Sequence, residues 1–276
     1  MMDFQLSKMW RILASAVALI GVSAAFPGMS ALAQTSATPD NECRVQPADY
    51  KGFKAQEVSN HWLELFFVPQ NGGRLMQVEF AGHSFLFVNP KLAGQYMPPS
   101  SSKWFNYGGD KVWLLPEGND DEQHWVGNSD LVDDGPYSFR KVSEGKLCEI
   151  ELTGPVDPQT GIQISRTISI DADSSEIRFH ATMKNVSGHT VDWSMQSVSQ
   201  YDTSDPSASA ASGSPINHDF RTFTPANPSS SYLTRYHVRF GPAENPAVSV
   251  RDDGLFALHY VHMAAELWLD SPAGWL

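Results

Sequence analysis

The chain has 276 residues, of which 41% are apolar and 11% aromatic, enough to bury a core in one large domain. Its 19 basic residues against 31 acidic ones give a net charge of −12, scattered along the chain rather than blocked. Such a surface repels nucleic acid and anionic membrane, so neither is expected as a partner.

The N-terminus reads as an address. Lys8 and Arg11 precede an apolar run over 12–26, and Ala31-Leu32-Ala33 supplies a small-x-small cleavage pattern. The run is short for a membrane span, which needs about 20 residues. Residues 1–33 are therefore expected to be a cleaved signal peptide, leaving a periplasmic or secreted chain with no membrane span. Its removal takes away Asp3, Lys8 and Arg11 and leaves the remainder one unit more acidic. Residues 34–49 are polar, carry two prolines and read as a flexible leader, with the folded domain over 50–276. Cys43 and Cys148 stand in no metal or redox spacing; in an exported protein they either pair or remain free thiols.

From residue 62 onward the hydrophobic period is two. The run 62–68 ends at Pro69 and turns through Asn71-Gly72-Gly73; 75–80 and 83–88 flank Ala81-Gly82 as a hairpin closed by Asn89-Pro90. Later come 147–152, a DPQTG turn at 157–161, 162–170, a Ser174-Ser175 turn, 177–183, a turn at 185–188, and 190–198. Short strands punctuated every ten or so residues predict an all-β, antiparallel sandwich or barrel. Residues 255–269 fit one amphipathic helix or two strands meeting near Met263, and the β surroundings favour strands. The Ser/Ala-rich run 203–215 reads as a surface loop.

One segment, 104–113 (WFNYGGDKVW), is neither a plain core strand nor a plain loop. Sugars present C–H faces that stack on aromatic rings and hydroxyls that pair with planar polar groups. Trp104, Asn106, Tyr107, Asp110 and Lys111 supply both, and Gly108-Gly109 would let a ligand approach the backbone. The competing reading packs Trp104 and Trp113 between sheets and pairs Asp110 with Lys111 at the surface. Arg74, opening a strand after a tight turn, either reaches into the cleft or pairs with a nearby acid. Gln196 and Gln200 lie four apart and share one strand face, which is either the ligand face or a solvated one.

Three pieces in order, Asn71-Gly72-Gly73-Arg74 with its hairpin, the segment 106–113, and the strand pair within 166–200, together resemble the galactose mutarotase-like (aldose 1-epimerase) superfamily, in particular an uncharacterised bacterial branch. The resemblance covers roughly residues 60–276 and implies a β-supersandwich with a concave sugar-binding face. Active members of that superfamily use a histidine acid and a glutamate base. Here Tyr107 stands where the first family histidine precedes Gly-Gly, and 198–201 (VSQY) carries no second histidine. The glutamate strand would lie beyond Leu276, so the domain is expected to be truncated at its C-terminus relative to that superfamily.

The expected function is thus an exported carbohydrate-binding protein whose site uses Arg74, Trp104, Asn106, Tyr107, Asp110, Lys111, Gln196 and Gln200 on a sugar or sugar acid. The alternative is a carbohydrate-active enzyme, epimerase-like or a lyase or hydrolase relative, with displaced catalytic groups. No cofactor is expected, since no Gly-rich phosphate loop opens a helix. No metal is expected either: Asp120-Asp121-Glu122 lacks calcium-loop spacing, and His259 and His262 lack a zinc partner.

Overall fold

The computed structural model describes residues 41–99, 104–117, 125, 131–204, 217, 219–242, 244–259, 266–271 and 274–275. The expected signal peptide, the leader up to residue 40, most of the 203–215 run, the acidic cluster at 120–122, His124 and His262 lie outside the described residues.

The first half of the chain forms β1 (Arg44–Tyr50), β2 (Phe53–Ser59), β3 (Leu63–Val68), β4 (Arg74–Phe80), the short β5 (His83–Ser84) and β6 (Asp110–Leu115). One turn of helix, α1 (Leu131–Asp134), precedes β7 (Ser138–Ser143), β8 (Leu147–Val156), β9 (Ile162–Asp171), β10 (Arg178–Asn185) and β11 (Ser194–Ser199). These strands build two antiparallel sheets. A seven-stranded one runs β1-β2-β3-β4-β6-β11 with β5 beside β4, and a four-stranded one runs β10-β9-β8-β7.

The sheets meet face to face. Leu65, Phe67 and Leu75 from the large sheet pack on Ile150, Leu152, Ile168 and Ile170 from the small one. Strict alternation makes this possible: in β9 the residues Ile162, Ile164, Arg166, Ile168 and Ile170 all point inward, and their neighbours are part-exposed. The fold is therefore the expected antiparallel β-sandwich.

The large sheet is unusual in burying its other face too. Tyr50, Phe66, Val68 and Met76 on that side are covered by Val88, Phe105 and Tyr107 from the segment joining β5 to β6. A strand buried on both sides loses its period-two signature, which is why β3 reads as the near-continuous apolar run LELFFV.

The leader is shorter than expected. Residues 44–49, read as loose chain, form most of β1, at the edge of the large sheet, where Pro47 costs no interior ladder bond. The β1–β2 hairpin turns on Lys51 (φ 48°) and Gly52 (φ 86°), a pair of left-handed residues that twists with the strands. Cys43 explains why this stretch is ordered. It bonds covalently to Cys148 in β8, and its backbone exchanges hydrogen bonds with Gly145 at 2.7 and 3.1 Å. The disulfide thereby staples the two sheets across 105 residues of sequence.

The remaining strands, β12 (Arg221–Pro225), β13 (Tyr236–Phe240), β14 (Val248–Val250), β15 (Leu255–His259), β16 (Glu266–Ser271) and β17 (Gly274–Trp275), form two three-stranded sheets, β12-β15-β14 and β13-β16-β17. Phe256 and Leu269 join them around a small core of their own. The ambiguous stretch after residue 255 thus resolves as strands on either side of residues 260–265. Among the described residues no helix is long and apolar enough to cross a membrane.

Closing a loop of this length is worth about 3–5 kcal/mol. Reduction of the Cys43–Cys148 bond, or a Cys43→Ser/Cys148→Ser double variant, is expected to lower unfolding free energy by that amount in urea titration. A change below about 1 kcal/mol would mean that the β1 register holds without the staple.

Candidate functional site

The Gly-Gly pair at 108–109 answers a demand of the chain itself. A Cβ on Gly108 (φ 87°) would collide with the carbonyl oxygen of Phe87, and one on Gly109 (φ 74°) with that of Leu75. The close approach expected for a ligand is taken by neighbouring backbone, and Gly109 N–H donates to Phe87 O at 2.9 Å. Asn106 serves the same turn. Its Oδ1 accepts from Gly108 N–H at 3.1 Å, and its carbonyl accepts from Asn89 Nδ2 at 2.8 Å. Tyr107 is a core residue, 1% exposed, with its ring near Phe53 and Phe105 and its hydroxyl accepting from Met97 N–H at 2.9 Å. Burial raises its pKa, and the hydrogen bond from Met97 only partly offsets that. It does not reach a surface where a sugar could stack.

Asp110 and Lys111 are consecutive in β6 and so point to opposite faces of the large sheet. They cannot form the surface ion pair considered from sequence, and they cannot share one ligand.

Asp110 faces the small sheet. There it pairs with Arg166, which occupies an inward position in the isoleucine row of β9; Arg166 Nη1 also donates to Asp110 O at 3.3 Å. The second carboxylate oxygen accepts from Ser199 Oγ at 2.6 Å and Ser197 Oγ at 3.3 Å. The pair bridges the two sheets, and its remaining valences are filled by hydroxyls from β11, as a buried ion pair requires.

Lys111 faces the other way, into a cluster centred on Asp133 of α1. Its ammonium lies 3.1 Å from Asp133 Oδ1, with the Trp113 ring centroid at 4.2 Å and that of Trp104 at 5.4 Å. The same carboxylate accepts from Trp113 Nε1 at 2.9 Å and Trp104 Nε1 at 3.2 Å. Arg74, fully buried, donates through Nη2 to Asp133 Oδ1 at 3.1 Å and to its carbonyl at 3.0 Å, and through Nη1 to Gly108 O at 2.9 Å. Asp134 lies farther from the same guanidinium, at 3.5 Å. Helix α1 can approach because Gly72 has no side chain; a Cβ there would strike Asp133 O. Two cations and two carboxylates thus share one buried volume, with the Trp113 and Trp104 indoles at its edge.

The ionisation of the cluster is displaced accordingly. Burial, and after it the charge of Asp133, pushes Asp134 up to about 7. Burial, with Arg74 adding to it, brings Lys111 down to about 8 against the pull of Asp133. At Asp133 burial opposes ionisation, but Arg74 and Lys111 outweigh it and hold the carboxyl below its ordinary range.

Of the expected site residues, the structure brings together Arg74, Lys111 and Trp104. Gln196, half-buried, is the register partner of Trp113 and shares its face. Gln200 continues that alternation, and its backbone bridges Gly109 O at 3.0 Å and Phe87 N–H at 2.8 Å. Asp110 is set apart on the opposite face, and Asn106 and Tyr107 are structural. Sequence reasoning missed Asp133, Asp134 and Arg166. An arginine in phase with four isoleucines was the readable signal for the last. Asp133-Asp134 had none, because their role depends on which elements they meet. Among the described residues no three His, Cys, Asp or Glu side chains are grouped as metal ligands. Compared with known proteins, the chain matches no family model and no curated protein.

The displaced groups give a pH dependence. Between about pH 4 and 7 the unfolded chain has released the Asp134 proton that the folded protein retains. This contribution is full below the unfolded value of 3.8 and is lost as pH rises to about 7. From about 8 to 10.5 the unfolded chain holds the Lys111 proton that the folded protein has given up, so stability recovers with rising pH. Asp134→Asn should flatten the first slope and leave the variant more stable than wild type near pH 7.5, by at most about 4 kcal/mol. Parallel slopes for the two proteins, from urea midpoints at pH 5 to 7.5, would refute the assignment.

Removing Asp110 by Asp110→Ala leaves Arg166 charged and unpaired between the sheets and is expected to cost about 3–5 kcal/mol. The double variant Asp110→Ala/Arg166→Met should recover a large part of that loss in the same titration.

Proposed function

We propose that this is an exported carbohydrate-binding protein, built on a sandwich of the galactose mutarotase kind, and that the sugar or sugar acid engages the indole pair of the Asp133 cluster. One observation carries the reading: Trp104 is 40% exposed yet its Nε1 is tied to Asp133, with its ring edge-on to Trp113 at 6.3 Å between centroids. An exposed ring held in place offers a pyranose an apolar platform at little ordering cost. Gln196, beside Trp113, supplies an amide for ligand hydroxyls. Two cations, Arg74 and Lys111, face one fully ionised carboxylate, Asp133, while Asp134 is raised to about 7. The cluster beneath the rings is therefore net positive and favours a ligand that carries negative charge.

Binding is preferred to catalysis for a reason internal to the site. The two groups with displaced proton affinities, Asp134 and Lys111, are buried rather than presented to a substrate. Export is supported by the signal-type N-terminus and by a disulfide that suits an oxidising compartment.

Titration calorimetry against neutral hexoses and hexuronates is expected to give saturable binding, tighter for the uronates, and Trp104→Ala should weaken it at least tenfold. Folded wild-type protein that binds none of them, or a Trp104→Ala variant that binds unchanged, would end this reading.

A further inference from the structure

A second site lies on the opposite face of the large sheet, between the two sheets. A cleft of about 430 Å³ opens there, within the range of small-molecule pockets. One wall is Leu75, Val78 and Phe85 from the large-sheet side, and the other is Ile177 and Phe179. Phe179, 49% exposed, stands at the mouth, with its ring centroid 5.7 Å from the Arg166 guanidinium. Ser175 is the one polar residue of these walls, too little to satisfy the several hydroxyls of a sugar.

Polar atoms gather mainly at one end, where Asp110, Ser199 and Tyr201 line the space; Ser175 is the only other polar residue of the lining. Their state limits what can bind. Asp110 and Arg166 neutralise each other, so a charged ligand would lose its hydration without gaining a counter-charge. Ser199 already donates its proton to Asp110 at 2.6 Å, so its oxygen has only lone pairs left to offer. The Tyr201 hydroxyl lies in the same corner beside Ser199. With the Ser199 proton held by Asp110, Tyr201 is the donor of that pair, and burial and the neighbouring Asp110 charge suppress its ionisation against that bond. The corner therefore accepts one hydrogen bond from an O–H or N–H and stays neutral.

We propose that this cleft is a binding site for a neutral, flat, multi-ring apolar molecule carrying a single hydroxyl or N–H donor, which is directed at Ser199 and Tyr201. It is independent of the carbohydrate reading, since it uses the other face of the sheet and none of the indole cluster.

The probe is N-phenyl-1-naphthylamine, a neutral molecule with two linked ring systems and one N–H, followed by its fluorescence on the full chain. Saturable binding at one site per chain is expected. Ile177→Trp, which fills the cleft, should weaken it at least tenfold, and Tyr201→Phe several-fold. Leu233→Ser, on an exposed apolar residue of the C-terminal sheets, should leave it unchanged. If Ile177→Trp does not fold, as judged by circular dichroism, Phe179→Trp at the half-exposed mouth serves as the filling variant. No saturable signal, a signal indifferent to filling, or equal or tighter binding of the anionic 8-anilinonaphthalene-1-sulfonate would each overturn the proposal. Displacement of the probe by the uronates would also do so, since it would merge the two sites.

Discussion

Charge taken out of water must be met by charge or by several hydrogen bonds, and that requirement organises this molecule. Arg74 and Lys111 from neighbouring strands of the large sheet cannot be buried together unless an acidic element comes to them. Helix α1, a single turn, does so by placing Asp133 against both cations and Asp134 beside Arg74. The Asn-Gly-Gly turn before β4 and the Gly-Gly before β6 are what let α1 and Phe87 close on the cluster at backbone distance. The indoles of Trp104 and Trp113 complete the carboxylate's hydrogen bonds, so the aromatic residues are held by the charges they cover.

The other face of the same sheet solves the same problem with different parts. Arg166 interrupts an isoleucine row, Asp110 reaches across from β6 to pair with it, and Ser197 and Ser199 of β11 donate to the free side of that carboxylate. The two arrangements are separated by one residue in sequence, Asp110 and Lys111, and by the thickness of a sheet in space. Each fixes one boundary of a candidate ligand site, with the exposed Trp104 indole on one side and an apolar cleft with a neutral polar corner on the other.

Much of the architecture was readable before any coordinates. Alternation located β8, β9, β10 and β11 to within a few residues, because a strand packed on one face repeats its apolar residues every second position. β3 and β4, buried on both faces, were legible instead as short apolar runs bounded by turn residues. β1 and β2 escaped notice: Pro47 argues against a strand unless the strand is an edge, and Lys51-Gly52 is a weak spelling of a hairpin turn. The segment 104–113 was correctly singled out as abnormal in composition. Its meaning was misjudged at Tyr107, Asn106 and the glycines, which serve the chain's own packing.

Composition and spacing by themselves determined the fold class, the availability of a Cys43–Cys148 bond, and the concentration of aromatic and ionisable residues between 104 and 113. These properties depend on neighbours along the chain, which sequence lists directly. Only the tertiary structure decided which carboxylate meets which cation, because Asp133 lies 59 residues from Arg74, and Arg166 lies 56 from Asp110. Such partners are chosen by how strands and a helical turn come together in space, and no local pattern records that choice.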